Sequence, residues 1–193
     1  MAAAIADFLR AAGLDPDQGE LAGTPERVAR AWSEELLVGQ GAGPAELLGG
    51  LPPVDESGGQ ELVIFTGITF TSCCPHHLLP YPGRAHLAFR PTTHLAGFGE
   101  LARLVRGLGA RLVLQETLTA EIAAALESVL GASAAACVID GWPMCVATRG
   151  AREPGSRVRT ASYRGDYAGD GSTHPDLRLF LDAVETAGRE SAR

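Results

Sequence analysis

The sequence contains no lysine, and all sixteen of its basic residues are arginine. Schiff-base catalysis by a lysine is therefore excluded, and any anion site must use guanidinium groups or backbone N–H groups. The chain also has no run of 18 or more apolar residues, and its N-terminal segment lacks a basic start and carries Asp7 within its apolar part. We therefore expect neither a membrane span nor a signal peptide, and we predict a cytoplasmic protein.

Cysteine is scarce, with four residues in a chain of 193. Thiols in a cytoplasmic protein are usually reduced, so these cysteines are more readily explained as metal ligands or buried side chains than as disulfides. The formal net charge of −7 argues against a nucleic-acid partner, because neutralising phosphates requires a basic surface. A hydrophobic content of 46% is ordinary for a globular protein with one main core.

The N-terminal part of the chain predicts helices followed by a loop. Residues 24–38 have helical periodicity, with Thr24 as the expected N-cap and Pro25 at the first helical position. The next residues, "GQGAGPAELLGGLPPVDESGGQ", are rich in glycine and proline. We predict an N-terminal helical arm and linker over residues 1–58, and a main domain with a C-terminal helix over residues 59–193.

The main domain predicts strands and helices in a definite order. "ELVIFTGITFTS" and "RAHLAFRP" have strand composition, with a turn expected at "LPYPG". Two helical segments follow, and the second has Thr119 as its expected cap and Gly131 as its stop. "AAACVIDGWPMCVATRG" and "SRVRTASYRG" then return to strand character. This order predicts an α+β fold, with a four-stranded antiparallel sheet and two helices on one face.

The segment "SCCPHHLLP" places two cysteines and two histidines within five positions. It could form a metal site, a disulfide or a polar turn beside a strand. Cys74 and His77 have the C-x-x-H spacing that lets both side chains reach one ion, although this spacing alone is a weak signal. Cys145, which we expect to enter a neighbouring strand, is the natural third ligand. Three protein ligands plus water are typical of a catalytic zinc site.

Four motifs together resemble the GTP cyclohydrolase I family. "TSCCPHHLLPYPGRAHLAFRP", "LARLV", "VLQETLTAEIAAAL" and "CVATRG" follow one another in the order of the family's C-x-H-H-x-x-P, G-L-S-K-x-x-R, Q-E-R-L-T and H-x-C-x-x-x-R-G motifs. The resemblance covers roughly residues 24 to 170. It implies the tunnelling fold (T-fold), a homodecamer with active sites between subunits, and hydrolysis at C8 of the guanine ring of GTP by zinc-bound hydroxide.

The resemblance also implies roles for individual residues. Cys74, His77 and Cys145 match the family's zinc ligands. His76 matches the histidine that assists proton transfer to the purine imidazole ring. A zinc ion lowers the pKa of bound water to about 7, which explains the need for the metal at neutral pH.

Substrate contacts are implied in the same way. Gln115 and Glu116 match the pair that anchors the guanine edge, with the carboxylate accepting from ring N–H and amino groups. The basic positions that hold the triphosphate in the family are matched by Arg27, Arg30, Arg103 and Arg149.

The sequence departs from the family pattern at four positions. Pro143 replaces the second catalytic histidine and has no proton to give, although general acid or base assistance is worth about 10²–10⁴ in rate. Pro75 replaces the glutamate before the double histidine. Gly99 replaces the serine that touches the ribose, and Glu100 replaces the lysine that meets the triphosphate.

These departures keep two alternatives open. A diverged family member could hydrolyse a different, non-phosphorylated purine or heterocycle. A zinc-bearing pseudoenzyme could bind a nucleotide without turning it over. The substituted family residues are concentrated at the ribose and phosphate end of the site, whereas the metal ligands and the guanine-edge residues are retained. We therefore favour a hydrolase that opens the imidazole ring of GTP or a related purine.

Overall fold

The computed structural model describes residues 1–54, 61–169 and 174–190. The chain divides into two compact units, Met1–Val38 and Gly39–Arg193. The boundary expected after residue 58 lies outside the described residues. Within the described ranges, no helix is long and apolar enough to cross a membrane.

The first unit consists of short helical elements. They are α1 (Ala2–Ala11), a 3₁₀ turn (Gly19–Leu21), α2 (Thr24–Ala31) and a π-helical turn (Trp32–Leu36). The N-cap of α2 is Gly23, with a left-handed φ of 74°, so Thr24 is the first helical residue and not the cap that the sequence predicts. The Thr24 hydroxyl instead accepts a hydrogen bond from Arg27 Nη2 at 2.8 Å.

The second unit confirms the predicted α+β class. Its elements are α3 (Pro44–Leu48), β1 (Val63–Cys73), β2 (Pro80–Arg90), α4 (Phe98–Gly109), α5 (Gln115–Leu130), β3 (Ala134–Gly141), α6 (Met144–Ala147), β4 (Val158–Gly165) and α7 (Pro175–Glu190). The strands form one antiparallel sheet in the order β1-β2-β3-β4. Helix α3 falls in the predicted linker but belongs to this unit, because Arg103 Nε of α4 donates to Leu47 O at 2.7 Å.

The predicted turn "LPYPG" is mostly strand. Pro80 and Pro82 both lie in β2, opposite Cys73 and Thr71 of β1. Proline is tolerated there because pairing of β2 with β3 begins only at Gly83, so the missing N–H groups leave no gap in that ladder. The connection between β1 and β2 is therefore confined to the residues from Cys74 to Leu79.

Helices cover both faces of the sheet. Helices α4 and α5 pack on one face, as the sequence predicts, and α4 buries Leu101, Leu104 and Leu108 at helical spacing. Helix α7 covers the opposite face and buries Phe180 and Val184 against it. The C-terminal helix thus closes the side of the sheet that the two central helices leave open.

Helix α5 begins earlier than the sequence predicts. Its N-cap is Leu114, and Gly131 ends it in a left-handed conformation, as expected. Thr119 lies inside the helix, and its hydroxyl donates to Gln115 O at 2.7 Å. It therefore satisfies a helical carbonyl instead of capping the N-terminus, and Gln115 becomes the first residue of the helix.

Paired charges fix α7 to the sheet. The Arg90 guanidinium binds both carboxylate oxygens of Asp176, and the Tyr167 hydroxyl donates to the same carboxylate at 2.8 Å. These donors lower the pKa of Asp176, with the Arg90 hydrogen bonds as the largest cause. On the same face, Arg159 joins Asp140 of β3 to Glu185 of α7.

A buried histidine stabilises a bulge in β1. The pairing of β1 with β2 shifts between Phe65 and Ile68, where Gly67 has a φ of 80°. His86 Nδ1 accepts the Gly67 N–H at 3.3 Å, and His86 Nε2 lies 3.7 Å from Asp140 Oδ2. His86 is 2% exposed, and this burial lowers its pKa. The neutral imidazole is therefore the form that the fold requires.

Candidate metal centre

The loop between β1 and β2 is one turn of chain closed by two backbone hydrogen bonds. Leu78 N–H donates to Cys74 O, and Cys74 N–H donates to Leu79 O, both at 2.9 Å. Leu78 closes the turn with a φ of 54°, a left-handed conformation that is uncommon for a leucine. The turn brings Cys74 and His77, three residues apart, to one side of the loop, where Cys74 Sγ lies 3.8 Å from His77 Nδ1.

Cys145 reaches the same place from the chain that leaves β3. The sequence predicts that Cys145 enters a strand, but it lies on the single turn α6, because strand pairing of β3 ends at Gly141. Trp142 N–H donates to Pro82 O at 2.9 Å, so the chain that leaves β3 follows the start of β2. Since the start of β2 is next to the end of β1, α6 lies beside the Cys74 loop.

The three predicted ligands converge. The two sulfur atoms and one imidazole nitrogen of Cys74, His77 and Cys145 all lie within 4.8 Å of one another. Tetrahedral zinc, with bonds of about 2.3 Å to sulfur and 2.0 Å to nitrogen, needs ligand atoms roughly 3.5–3.8 Å apart. Small side-chain movements therefore suffice to enclose an ion, and two thiolates with one imidazole are a donor set that suits zinc.

The electrostatics of Cys145 agree with a site built for a cation. Burial raises its pKa, and the nearby Cys74 thiolate raises it further. Two neighbouring thiols therefore resist becoming two thiolates by themselves. A bound divalent cation reverses this balance, because it stabilises both negative charges and releases the thiol protons.

Gln115 and Glu116 occupy the first turn of α5, but their side chains differ. Gln115 is 7% exposed, and its Nε2 donates to Ile139 O at 3.1 Å and to Val158 O at 2.9 Å, which ties α5 to β3 and β4. Gly141 has no room for a Cβ because the Gln115 amide lies against it. Glu116 is exposed. Their assignment to the guanine edge stays a prediction.

Tyr81 connects the metal loop to the start of α5, and sequence reasoning placed it in a turn without a role. Its hydroxyl donates to Val113 O at 2.9 Å, and burial raises its pKa to about 12. The negative charges of Cys74 and Glu116 both raise the pKa of this phenol as well. Glu116 therefore lies at the metal end of the sheet.

His76 lies in the metal loop and is exposed. Its ring stands perpendicular to that of His77, with 6.2 Å between the ring centroids. The residue therefore presents an ionisable, solvent-exposed group next to the ligand His77. The sequence assigned it to proton transfer, and that role stays a prediction.

The four predicted triphosphate ligands lie in three separate regions. Arg149 is exposed just after α6, and its positive charge lowers the pKa of the Cys145 thiol. Arg103 lies on α4, which begins where Phe98 contacts Phe65, 4.9 Å between ring centroids. From there α4 runs toward the end of β1 that carries Cys73, since Arg106 Nε, one turn beyond Arg103, donates to Thr69 O at 3.2 Å. Arg27 and Arg30 belong to the first unit.

Two of the four departures from the family pattern, Pro143 and Glu100, have defined local environments. Pro143 is the N-cap of α6, and its carbonyl accepts the N–H of Val146 at 3.0 Å. Glu100 lies in the first turn of α4, against Gly97 and 3.5 Å from Arg103 Nη2. A carboxylate is favourable at this positive end of the helix.

Comparisons with known proteins agree on one family. The model of the family described as GTP cyclohydrolase I matches residues 1–180. GTP cyclohydrolase 1 of Deinococcus radiodurans is 37% identical over 93% of this chain and 80% of its own length. The enzymes of that name from Bacillus pumilus and Bartonella quintana are 35% and 39% identical, over 92% and 93% of this chain and 93% and 86% of their own lengths.

Among solved structures, the apo form of the archaeosine synthase QueF-Like is similar with a TM-score of 0.45 and 14% identity, over 54% of this chain and 93% of that chain. The family model and the relatives extend across both units and include the metal loop, the start of α5 and α6. The chain belongs to the GTP cyclohydrolase I family.

Proposed function

We propose that this protein is a zinc-dependent hydrolase that opens the imidazole ring of GTP or a related purine. The observation that carries the proposal is the convergence of Cys74, His77 and Cys145 in a chain of the GTP cyclohydrolase I family. Two thiolates and one imidazole would hold zinc and leave its fourth position open. When bound, zinc supplies a water acidic enough to give hydroxide at neutral pH for attack at C8 of the purine.

Glu116 is the group that we propose to fix the base. An exposed carboxylate accepts hydrogen bonds from a ring N–H and an amino group, the pair that a guanine edge offers. Gln115 contributes by holding the start of α5 against β3 and β4, since its amide hydrogens are used inside the chain. Glu116 is thereby kept at the end of the sheet where the three metal ligands meet.

His76 is the group that we propose to move protons. Addition of water across the C8=N7 bond requires a proton at N7, and the subsequent cleavage of C8–N9 requires a proton at N9. His76 is the ionisable residue of the metal loop that is not needed as a ligand. Pro143 offers no second proton donor. We therefore expect ring opening and formate release to proceed, whereas the later rearrangement and closure to a dihydropterin should be slow.

The family resemblance implies active sites between subunits, and the sheet has two edges at which further copies of the chain could associate. Strands β1 and β4 each have one strand neighbour among the described residues. We propose a homo-oligomer, a decamer as the family resemblance implies, with the site between subunits.

The test is to load the protein with zinc and supply GTP, guanosine, guanine and 8-oxoguanine. Products are identified by mass spectrometry and formate is quantified. We expect formate and the deformylated diaminopyrimidine nucleotide from GTP, with the formamidopyrimidine as the intermediate that precedes formate release. Turnover of a non-phosphorylated compound alone would instead identify the diverged alternative, and binding without any conversion would identify a pseudoenzyme and refute the proposal.

A matched variant tests the expected stopping point. Pro143 has a φ of −74°, which a histidine adopts without strain. Pro143→His should therefore fold normally and allow the reaction to continue to dihydroneopterin triphosphate. Abundant dihydroneopterin triphosphate from the unmodified protein would show that Pro143 does not limit the reaction.

A further inference from the structure

The loop between α4 and α5, residues 110–114, is held against the last residue of β1. Cys73 N–H donates to Arg111 O at 3.4 Å, and Val113 N–H donates to Cys73 O at 3.2 Å. These bonds form a short parallel bridge at the end of the strand. Cys73 directly precedes the predicted ligand Cys74, so the metal loop and the loop that leads into α5 are fixed to the same point of the sheet.

Two buried hydroxyl groups add to this contact. Ser72 of β1 and Tyr81 of β2 lie directly opposite each other in the strand register, and they are 0% and 4% exposed. The Ser72 hydroxyl donates to Arg111 O at 3.3 Å, and the Tyr81 hydroxyl donates to Val113 O at 2.9 Å. We call Ser72 and Tyr81 the hydroxyl clamp, because these two neighbouring side chains hold two carbonyl groups of one loop.

Arg111 fixes the loop to the two helices that it joins. Its Nε donates to Leu108 O of α4 at 2.7 Å, and its guanidinium is paired with Glu121 of α5. The loop is therefore attached to both helices and to the sheet, and it cannot shift as a unit unless several of these bonds break. Its position determines where α5 begins.

The first turn of α5 takes its position from this loop. Leu114 is the N-cap of the helix, and Glu116 follows it by two residues. Gln115 anchors the same turn to the other half of the sheet, through its bonds to Ile139 O and Val158 O. The backbone that carries Glu116 is thus attached to β1 and β2 through the hydroxyl clamp, and to β3 and β4 through Gln115.

We propose that Ser72 and Tyr81 are positioning residues that set the distance between Glu116 and the metal cluster. The inference rests on the proposed function, in which Glu116 holds the purine base while the cluster supplies the nucleophile. Neither clamp hydroxyl would touch the substrate, because both are buried and donate to the loop. A misplacement of about 1 Å between groups that act on one substrate can lower the rate by about 10²-fold, so the clamp should have a measurable effect.

The experiment is a double-mutant cycle on the zinc-loaded protein, with the affinity for guanosine measured by titration calorimetry. Guanosine has no phosphate groups, so its affinity reports on the base. The variants are Tyr81→Phe, Glu116→Gln and their combination, and phenylalanine keeps the ring while it removes the hydroxyl donor. Tyr163→Phe is the matched control, because Tyr163 packs on the α7 face, opposite the face on which Tyr81 is buried. Zinc content is measured for every variant.

We expect Tyr81→Phe to retain its zinc and to bind guanosine roughly tenfold more weakly, since Glu116 is no longer held at the required distance. In the Glu116→Gln background, the same substitution should add less than about twofold, because the group that the clamp positions is already absent. Ser72→Ala should resemble Tyr81→Phe with a smaller loss. Tyr163→Phe should bind guanosine as the unmodified protein does.

Hydrogen exchange supplies a second readout that needs no ligand. Tyr81→Phe should speed exchange of the backbone amides of residues 111–117 and leave those of α7 unchanged. Unchanged exchange at residues 111–117 would overturn the inference, and so would losses of guanosine affinity that add in the double variant. Formate release from GTP is measured separately: its absence would refute the proposed function alone, whereas formate release together with additive losses would refute the clamp alone.

Discussion

The metal end of the sheet and the face covered by α7 use similar residues in opposite ways. At the metal end, His76, Glu116 and Arg149 are exposed and form no ion pair within the part of the chain that the structure describes. On the α7 face, Arg90 with Asp176, and Arg159 with Glu185, form paired and hydrogen-bonded contacts. Paired charges stabilise the fold, whereas unpaired ones remain available to a ligand.

The sharpest test of this difference removes a metal ligand. Cys145→Ser should abolish stoichiometric zinc binding and lower formate release by at least about 10³-fold, because the nucleophile is no longer supplied at neutral pH. Metal content and activity are measured together. Cys73→Ser is the control, since the Cys73 thiol is not among the clustered ligands. An active, zinc-bound Cys145→Ser protein would contradict the assignment.

A second test concerns the exposed histidine beside the ligands. His76→Asn should retain zinc and lower kcat by about 10²–10⁴, the usual range for loss of a general acid or base. The free energy of unfolding should stay within about 0.5 kcal/mol of the original, because the side chain is exposed. Unchanged kcat would show that His76 takes no part in proton transfer.

Substitutions of the paired charges on the α7 face should lower stability and leave zinc binding unchanged. Asp176→Asn removes the ion pair with Arg90 and should lower the free energy of unfolding by about 2–3 kcal/mol, without changing zinc content. Tyr167→Phe loses one hydrogen bond to the same carboxylate and should cost about 1 kcal/mol. Urea titrations measure both. Loss of zinc in either variant would show that the two regions are not independent.

The smallest effect is expected from pH. Burial lowers the pKa of His86 in the folded state, so between that pKa and about 6.5 the unfolded chain binds more protons. Stability is therefore complete above about pH 6.5 and falls as the pH decreases below it, by at most about 1.4 kcal/mol per pH unit. Asp140 favours the charged imidazole, whereas Arg84 and Arg159 oppose it.

Urea titrations between pH 5 and 8 measure this dependence above the range in which Asp176 titrates. His86→Gln should be less stable at pH 8, because the Gly67 N–H loses its imidazole acceptor, and should show a flatter profile. An identical pH profile in the variant would assign the dependence to another group.

Much of the fold could be predicted because hydrophobic period and composition report local structure. The four strands and the two central helices were found from these signals, and the α+β class is confirmed. Pro80 and Pro82 misled the prediction because proline usually indicates a turn, and the late start of β2–β3 pairing cannot be seen locally. Thr119 also misled the prediction, because threonine is a common N-cap. In the structure its hydroxyl donates to the Gln115 carbonyl, one turn earlier in the same helix.

The site was partly predictable. The spacing of Cys74 and His77 indicated two ligands. Cys145 was predicted as the third from its expected place beside the first strand and from the family resemblance, and the structure brings it to them. The internal hydrogen bonds of Gln115 and Arg103 depend on residues far away in the sequence, such as Val158 and Leu47. Residue type alone cannot distinguish an arginine that binds a ligand from one that joins two helices.

The closed turn at Leu78 has a further consequence for the proposed uptake of zinc. Its two backbone hydrogen bonds close the Cys74 loop. Half of the coordination sphere therefore exists before loading, and α6 provides the remaining donor from a segment some seventy residues later in the chain. Zinc would act as a removable crosslink between two hairpin ends, so chelation should loosen this corner of the molecule while the rest of the sheet stays folded.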